Sequence, residues 1–179
     1  EFNLNAYAEY NPIDPLKFKS TVTYSSRQTQ NERFNNSLTA NGSPYNIRNT
    51  KGQWGTLENG FRGIFTNENT VSFEKKFNRV HHINSVAGFS VEIGNTEADK
   101  FTAISVPYEE LGMDGLKLGI PFSTSYVTSK YTMMSYYGRI NYTYDSRYIA
   151  TFTFRGDGSS KFADQNKWGY FPSAALAWN

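Results

Sequence analysis

The sequence predicts an all-β fold, an antiparallel up-and-down meander of about seven strands. Apolar and polar residues alternate with period two through most of the chain, as they do in strands that have one apolar face. Short and long connections between these alternating segments follow one another in strict order. Aromatic residues make up 17% of the 179 residues within a hydrophobic total of 38%, and aromatic enrichment favours pleated surfaces over helices.

The first two predicted strands flank a short turn. The apolar residues of the first strand occupy the even positions Phe2, Leu4, Ala6, Ala8 and Tyr10. The sequence Asn-Pro-Ile-Asp-Pro at 11–15 predicts the turn, because proline and aspartate favour turn conformations. The second strand then places Leu16, Phe18, Val22 and Tyr24 on one face. Residues 28–54 are polar and irregular, and they predict a long loop.

The third and fourth predicted strands are joined by a short turn at Asn78-Arg79. The third runs from about Leu57 to Phe77, and the fourth has its apolar face at Ile83, Ala87, Phe89, Val91 and Ile93. Residues 94–131 are predicted to form a second long connection. This connection holds the only predicted helical segment, around 95–104.

The last three predicted strands show the clearest alternation. The fifth places Tyr136, Gly138, Ile140, Tyr142 and Tyr144 on one face, and a tight turn follows at Asp145-Ser146. The sixth places Tyr148, Ala150, Phe152 and Phe154 in phase, and a polar loop is predicted from Gly156 to Lys167. The seventh carries Ala174, Leu176 and Trp178 on its apolar face.

These connections predict a partial transmembrane β-barrel. Outer-membrane barrels have short periplasmic turns and long extracellular loops, and a tilted strand of about 9–11 residues crosses the bilayer. A sheet in lipid must close, because an open edge leaves backbone groups unpaired. Both ends of the chain fall within the alternating pattern, so we expect residues 1–179 to be a single segment of a larger barrel.

Composition argues against several other functions. The formal net charge is only +2, and the charges are scattered, so no nucleic-acid-binding face is expected. The sequence has no cysteine, which excludes disulfides, thiol nucleophiles and cysteine zinc sites. No run of eighteen apolar residues predicts a transmembrane helix. We expect no cofactor.

Four segments in the last quarter of the chain carry a resemblance to a known family. They read YGRINY at 137–142, RYIAT at 147–151, FRGDGSSKF at 154–162 and WGYFPS at 168–173. Together they resemble the strand-turn-strand-loop-strand signature of the SusC/RagA family of TonB-dependent outer-membrane transporters. Gly156 stands where the commoner family pattern has alanine. The first 130 residues match the family in layout only.

The resemblance implies a barrel of about 22 strands with a plugged lumen, whose plug domain and remaining strands lie outside this chain. It also implies nutrient import across the outer membrane of a Gram-negative, Bacteroidetes-type cell. A SusD-like surface lipoprotein would cover the barrel, and TonB would energise uptake through regions not in this chain. The implied cargo is a glycan or a peptide.

No catalytic or metal-binding group is predicted. The sequence Asp157-Gly158-Ser159-Ser160 lacks the glycine spacing of a phosphate loop, and only Asp157 and a distant Asp164 could serve calcium. His81 and His82 are adjacent on a strand and so point to opposite faces. Glu109-Glu110 are adjacent carboxylates, the residue type that glycosidases use, but their predicted loop position favours a solvated surface.

Two sets of candidate binding residues follow from the predicted topology. Aromatic residues in the long loops could stack on sugar rings, although an interfacial girdle or loop packing is the alternative; they are Tyr45, Trp54, Tyr108, Tyr126 and Tyr131. Arg139, Asn141 and Arg155 are predicted to face the lumen, together with Thr143, Thr151 and Thr153 and, from their own polar strand faces, Lys17 and Lys19. The predicted lipid-side face consists of Tyr136, Ile140, Tyr142, Tyr148, Phe152 and Phe154.

The loop after the sixth strand is predicted to be structural. Gly156 and Gly158 would permit positive φ angles, and Asp157, Ser159 and Ser160 would satisfy nearby amides through their side chains. Phe162 and Trp168 would anchor the two ends of the loop.

The leading hypothesis is an importer rather than an enzyme, and two alternatives remain. One is a soluble β-sandwich that binds carbohydrate or mediates adhesion, because polar loops and aromatic residues would suit such a module. The other is a surface enzyme, for which the sequence supplies no candidate residues.

Overall fold

A computed structural model describes residues 1–179, except for the side chain of Asp164. Strands account for 72% of the chain and form one seven-stranded antiparallel sheet in the order β1 to β7. The strands are β1 (Phe2–Ile13), β2 (Leu16–Asn35), β3 (Trp54–Phe77), β4 (His81–Ile104), β5 (Ile120–Tyr144), β6 (Tyr148–Ser159) and β7 (Trp168–Trp178). The predicted all-β meander is therefore confirmed. A single sheet with consecutive pairing does not favour the two-sheet sandwich.

Short and long connections alternate as predicted. β1 and β2 are joined at Asp14-Pro15, which is a cis peptide. Asn78 and Arg79 between β3 and β4 have φ angles of 49° and 59°, and Asp145 and Ser146 between β5 and β6 have φ angles of 50° and 53°. Left-handed angles at two successive residues suit the tight turns of twisted hairpins. The long connections span 36–53, 105–119 and 160–167.

Several strands extend beyond their predicted ends. β2 continues to Asn35, β4 continues to Ile104, and β5 begins at Ile120, within segments that were predicted to be loops. The predicted helix around 95–104 is wrong, because this segment belongs to β4. Cross-strand pairing explains the strand conformation, since the hydroxyls of Thr56 and Thr102 lie 3.3 Å apart.

Helical structure is confined to two 3-10 segments, Glu109–Leu118 and Asp164–Asn166. The first was not predicted, and it is interrupted at Gly112, whose φ of 53° is incompatible with a continuous helix. No helix in the described part of the chain is long and apolar enough to cross a membrane.

The chain forms two compact units. The first unit comprises Glu1, 26–62 and 95–129, and the second comprises 2–25, 63–94 and 130–179. The first unit contains a small apolar core of Ala103, Val106 and Leu116, against which Phe34, Leu57, Phe101 and Met113 pack. This core fixes the 105–119 connection on β3 and β4 within that unit.

In the second unit, the strand register separates apolar from polar side chains. Residues directly opposite each other in an antiparallel pair project from the same face. Ile140 lies opposite Phe152, which in turn lies opposite Ala174, whereas Asn141 lies opposite Thr151. One face of β5 and β6 therefore carries Tyr136, Ile140, Tyr142, Tyr148, Phe152 and Phe154. The other carries Arg139, Asn141, Thr143, Thr151, Thr153 and Arg155.

Candidate functional site

A cavity of the first unit, with a volume of about 820 Å³, is lined by four adjacent strands. The end of β2 contributes residues 30–33, and the start of β3 contributes Trp54, Thr56 and Glu58. β4 and β5 contribute their ends nearest the 105–119 connection. Most of the lining therefore lies on hydrogen-bonded strands, which hold side chains more rigidly than loops do.

Trp54 is held in a fixed orientation at this cavity. Its indole N–H donates a hydrogen bond of 3.1 Å to the carbonyl oxygen of Asn41. The Lys51 ammonium lies 4.6 Å from the centre of the Trp54 ring and 5.0 Å from that of Phe122. Both distances fall within the range of cation–π attraction.

The backbone around Lys51 is also fixed. The N–H of Ser105 donates to the Lys51 carbonyl at 2.9 Å, and the Lys51 N–H donates to the Asn49 side chain at 3.0 Å. Gly52 has a φ of 63°, a conformation that glycine adopts without steric cost. The cation is therefore presented by a constrained turn between two aromatic rings.

Three cations and two carboxylates line the cavity. The cations are Arg33, Lys51 and Lys100, and the carboxylates are Glu32 and Glu58. Among the described side chains, none of these five forms an ion pair within 4.0 Å. Their charges are therefore available to a ligand.

A hydrogen-bonded clip joins the two long connections of the first unit. The Ser37 hydroxyl donates to Glu109 at 2.7 Å, and the Ser37 N–H donates to the other carboxylate oxygen at 2.6 Å. These two bonds lower the pKa of Glu109 below its usual value. Glu109 lies at the surface with intermediate exposure, and its carboxylate also serves this contact, which the sequence did not indicate. Glu110 is exposed, in agreement with the predicted surface position.

The structure separates the five aromatic residues that were predicted to contact ligand. Trp54 lines the main cavity, and Tyr126 lines a smaller one of about 330 Å³ beside Asn59 and Asp99. Tyr45 and Tyr108 are exposed and line neither cavity. The remaining one belongs to the second unit, where the Tyr131 hydroxyl donates to Glu92 at 2.7 Å and Lys161 lies 4.0 Å from its ring centre. A role for any of them in binding stays a prediction.

On the polar face of the second unit, Arg155 is the centre of a contact network. Its Nε–H lies 2.8 Å from both carboxylate oxygens of Asp157, and its NH2 group donates to the Ser135 hydroxyl at 3.2 Å. The guanidinium lies 5.7 Å from the Tyr137 ring centre, and the Tyr137 hydroxyl donates to Glu68. Asp157 was predicted to satisfy backbone amides, and this is wrong because its partner is Arg155.

The two glycines of the 156–159 segment have a different role from the predicted one. The segment belongs to β6, and the positive-φ glycines of the described chain are Gly52 and Gly112. A Cβ at Gly156 would lie 3.2 Å from the Tyr170 ring, and one at Gly158 would lie 2.8 Å from the Trp168 ring. Both glycines therefore accommodate aromatic side chains from β7, which cross over them.

The ends of the β6–β7 connection match the prediction in part. Ser159 accepts a hydrogen bond from the Lys161 N–H at 3.3 Å, as expected for a capped turn. Trp168 stacks on Tyr136 with ring centres 5.8 Å apart, so it anchors one end. Phe162 remains 62% exposed, which does not fit the anchoring role predicted for it.

The adjacent histidines have separate partners. His81 lies 2.6 Å from the Tyr142 hydroxyl and stacks on Phe77, whereas His82 lies 3.0 Å from Glu74. Each imidazole is therefore engaged in its own local contact.

Sequence reasoning missed most of the main cavity. Arg33, Lys51, Lys100 and Phe122 come from four different parts of the chain, and no local motif connects them. The only local signal was Lys51 three residues before Trp54. The Ser37–Glu109 clip joins residues 72 apart, which no spacing rule identifies.

Comparison with known proteins gives a consistent pattern. The family model described as "TonB dependent receptor-like, beta-barrel" matches residues 1–179. TonB-dependent receptor P3 of Formosa agariphila is 34% identical over 181 residues, covering 99% of this chain and 17% of that protein. TonB-dependent receptor SusC of Bacteroides thetaiotaomicron is 54% identical over 55 residues, covering 31% of this chain and 5% of that protein.

A solved structure shares the fold. The RagAB peptide importer in its open-open state has a chain that aligns with a TM-score of 0.74 at 18% identity, covering 96% of this chain and 18% of that one. The present chain thus spans under a fifth of the length of the proteins it matches.

Proposed function

The chain belongs to the TonB-dependent receptor-like β-barrel family, and we propose that it forms part of the wall of an outer-membrane importer of oligosaccharide or peptide. The family is one of receptors and transporters rather than an enzyme class. In this proposal the strands of the second unit cross the membrane, and the cavity of the first unit contacts cargo.

The separation of apolar and polar faces in β5–β7 carries this proposal. Ile140 and Phe152 lie opposite each other and are 53% and 51% exposed, and Leu176 on β7 is 87% exposed. Such a surface suits lipid, whereas the face with Arg139 and Arg155 suits a wet lumen. A charged side chain facing lipid at mid-membrane would cost about 2–4 kcal/mol, which sets the orientation we propose.

The proposed partners are a SusD-like surface lipoprotein and TonB. The likeness to SusC over 55 residues and to the RagAB fold supports a lipoprotein partner. TonB would act through regions of the transporter other than these strands. The same relatives support a Bacteroidetes-type outer membrane as the location.

Outer-membrane fractionation tests the proposal. The strain used produces the full-length protein with an affinity tag. We expect a heat-modifiable protein in the outer membrane that co-purifies with a surface lipoprotein. Uptake of labelled oligosaccharides or peptides should be lost when TonB is deleted. A protein that remains in the soluble fraction, or uptake that does not need TonB, would contradict the proposal.

A further inference from the structure

We infer that the 820 Å³ cavity of the first unit binds an acidic oligosaccharide, with Lys51 and Lys100 contacting its carboxylate or sulfate groups. The inference rests on the proposed function and assigns a substrate class to the same protein. Three observations support it: the orientation of Lys51, the charge of the lining and the absence of aliphatic side chains from it.

Lys51 is held by cation–π attraction and forms no ion pair among the described side chains. An ammonium attracted to the faces of Trp54 and Phe122, at 4.6 and 5.0 Å, keeps its N–H donors available, because the rings satisfy none of them as a carboxylate would. A lysine in an ion pair would be partly neutralised before ligand arrived. Lys51 therefore acts as a positioned anion receptor.

The lining as a whole favours an anion over a cation. Arg33, Lys51 and Lys100 contribute three positive charges against two negative charges from Glu32 and Glu58. The carboxylate of Glu32 already accepts a hydrogen bond of 2.6 Å from the Gln30 side-chain amide, which occupies one of its acceptor positions. Sugar hydroxyls can donate to Glu58, so a carboxylate in the lining is compatible with an acidic glycan.

The chemistry of the neutral lining residues favours a glycan over a peptide. The twelve lining residues include two aromatic rings, five neutral hydroxyl or amide side chains and no Val, Leu, Ile or Met. A peptide with aliphatic side chains would find only the two aromatic rings as apolar surface and no aliphatic pocket. The apolar face of a sugar ring can instead pack on Phe122, which is 54% exposed, while its hydroxyls meet the polar groups.

A titration of the purified full-length protein tests this inference. The protein is titrated with oligogalacturonate and, separately, with the methyl-esterified form of the same oligosaccharide. The two probes share one sugar backbone and differ in charge. We expect the acidic probe to bind about tenfold or more tightly than the ester, since one charged contact contributes at least that factor. The preference should shrink as salt is raised, because screening weakens exposed charge pairs.

Lys51→Gln and Lys100→Gln should each remove most of that preference and leave binding of the ester nearly unchanged. Lys117→Gln is the matched control, since Lys117 is an exposed cation of the same unit that does not line the cavity. Heat-modifiability on gels shows whether each variant is folded. The salt dependence is measured on the unsubstituted protein, so that test does not depend on the folding of any variant.

Equal binding of the two probes, or an equal loss in Lys117→Gln, would overturn the inference. Tighter binding of an acidic peptide than of oligogalacturonate would overturn the glycan assignment. A folded protein that imports a neutral cargo and binds neither probe would refute this inference while leaving transport intact. Failure to insert into the outer membrane would instead contradict the proposed function.

Discussion

Arg155 and Asp157 are two positions apart on β6, so their side chains project from the same face and meet at 2.8 Å. The ion pair is partly exposed, with 47% of the Arg155 side chain and 27% of the Asp157 side chain accessible. Its stabilising effect alone is therefore modest. Its structural importance comes from the contacts of Arg155 with Ser135 and the Tyr137 ring, which connect β6 to β5.

Asp157→Ala should lower the yield of folded protein and leave ligand affinity per folded molecule nearly unchanged. The variant loses the partner of Arg155, and we expect a loss of about 1 kcal/mol or less in the free energy of unfolding. Heat-modifiability on gels measures folding, ligand titration measures binding, and the exposed Asp114→Ala serves as the control. Normal folding with lost binding would make Asp157 part of a cargo site.

Glu109→Gln should loosen the clip between the 36–53 and 105–119 connections. The carboxylate accepts two hydrogen bonds from Ser37, and a glutamine side chain has only one acceptor oxygen. Pulsed electron–electron double resonance measures the distance between spin labels at the exposed positions Leu38 and Glu110, and this distance reports the separation of the two connections. We expect a broader distance distribution than in the unsubstituted protein, and Glu110→Gln with labels at Leu38 and Leu111 provides the control.

The same clip should weaken at low pH. Because the pKa of Glu109 is lower in the folded state, its stabilisation is fully present above the ordinary value of 4.5. The stabilisation is lost as the pH falls through the folded-state pKa. The distance distribution should therefore broaden at acidic pH in the unsubstituted protein and change little in Glu109→Gln. A distance distribution that is as narrow at acidic pH as it is at neutral pH would contradict this prediction.

At the scale of elements, β6 and β7 are fitted together by glycines opposite aromatic rings. Gly156 lies opposite Tyr170, and Gly158 lies opposite Trp168. The ring of Trp168 lies over Gly158 and also stacks on Tyr136 of β5. This arrangement fixes the register of three strands through one side chain.

Gly158→Ala should destabilise the protein by about 1–3 kcal/mol, because the new methyl group overlaps the Trp168 ring. Gly138→Ala is the control, since its Cβ would meet nothing closer than the Val86 carbonyl oxygen at 3.7 Å. Denaturant unfolding in lipid vesicles compares the two. Equal stability of both variants would show that Trp168 does not depend on close contact with Gly158.

Strands were predicted correctly from the sequence where one face is apolar. The ends of β2 and β4 were missed because neither face of the strand is apolar there. β5 and β6 were recognised because Ile140 and Phe152 alternate with polar residues. The end of β2 and residues 95–100 of β4 lie in the first unit and carry polar or small side chains on both faces, so periodicity disappears there although backbone pairing continues. Residues 95–104 were misassigned for the same reason, because local helix formers such as Glu97 and Ala98 are overridden by pairing with β3.

For the whole molecule, the main consequence of the fold is a large exposed apolar face. Leu176 is 87% exposed and Trp178 is 76% exposed, and both belong to β7. A contiguous apolar patch of this kind is a liability in water and is expected in lipid. The buried core is correspondingly small: the buried hydrophobic residues of the described chain are Ala103, Val106 and Leu116.

The candidate site was less predictable than the fold. The loop aromatics included Trp54, but the cations beside it could not be selected from sequence. Lys51 and Lys100 approach one cavity only because β2 to β5 are neighbours in the sheet. Strand order over long separations, rather than any local motif, creates this site.

Cysteine accessibility tests the central claim, that β5–β7 form a membrane wall with one face toward lipid. The chain has no native cysteine, so single cysteines can be placed at the facing pairs Ile140–Phe152 and Asn141–Thr151. The protein as encoded, in native outer membranes, is treated with a water-soluble maleimide, with any cysteine elsewhere replaced by serine. We predict that the water-soluble maleimide labels positions 141 and 151 rapidly and does not label positions 140 and 152. In a separate measurement, spin-labelled lipids should quench a fluorophore attached at position 140 or 152. Equal labelling of all four positions, or lipid quenching at 141 and 151, would contradict the account.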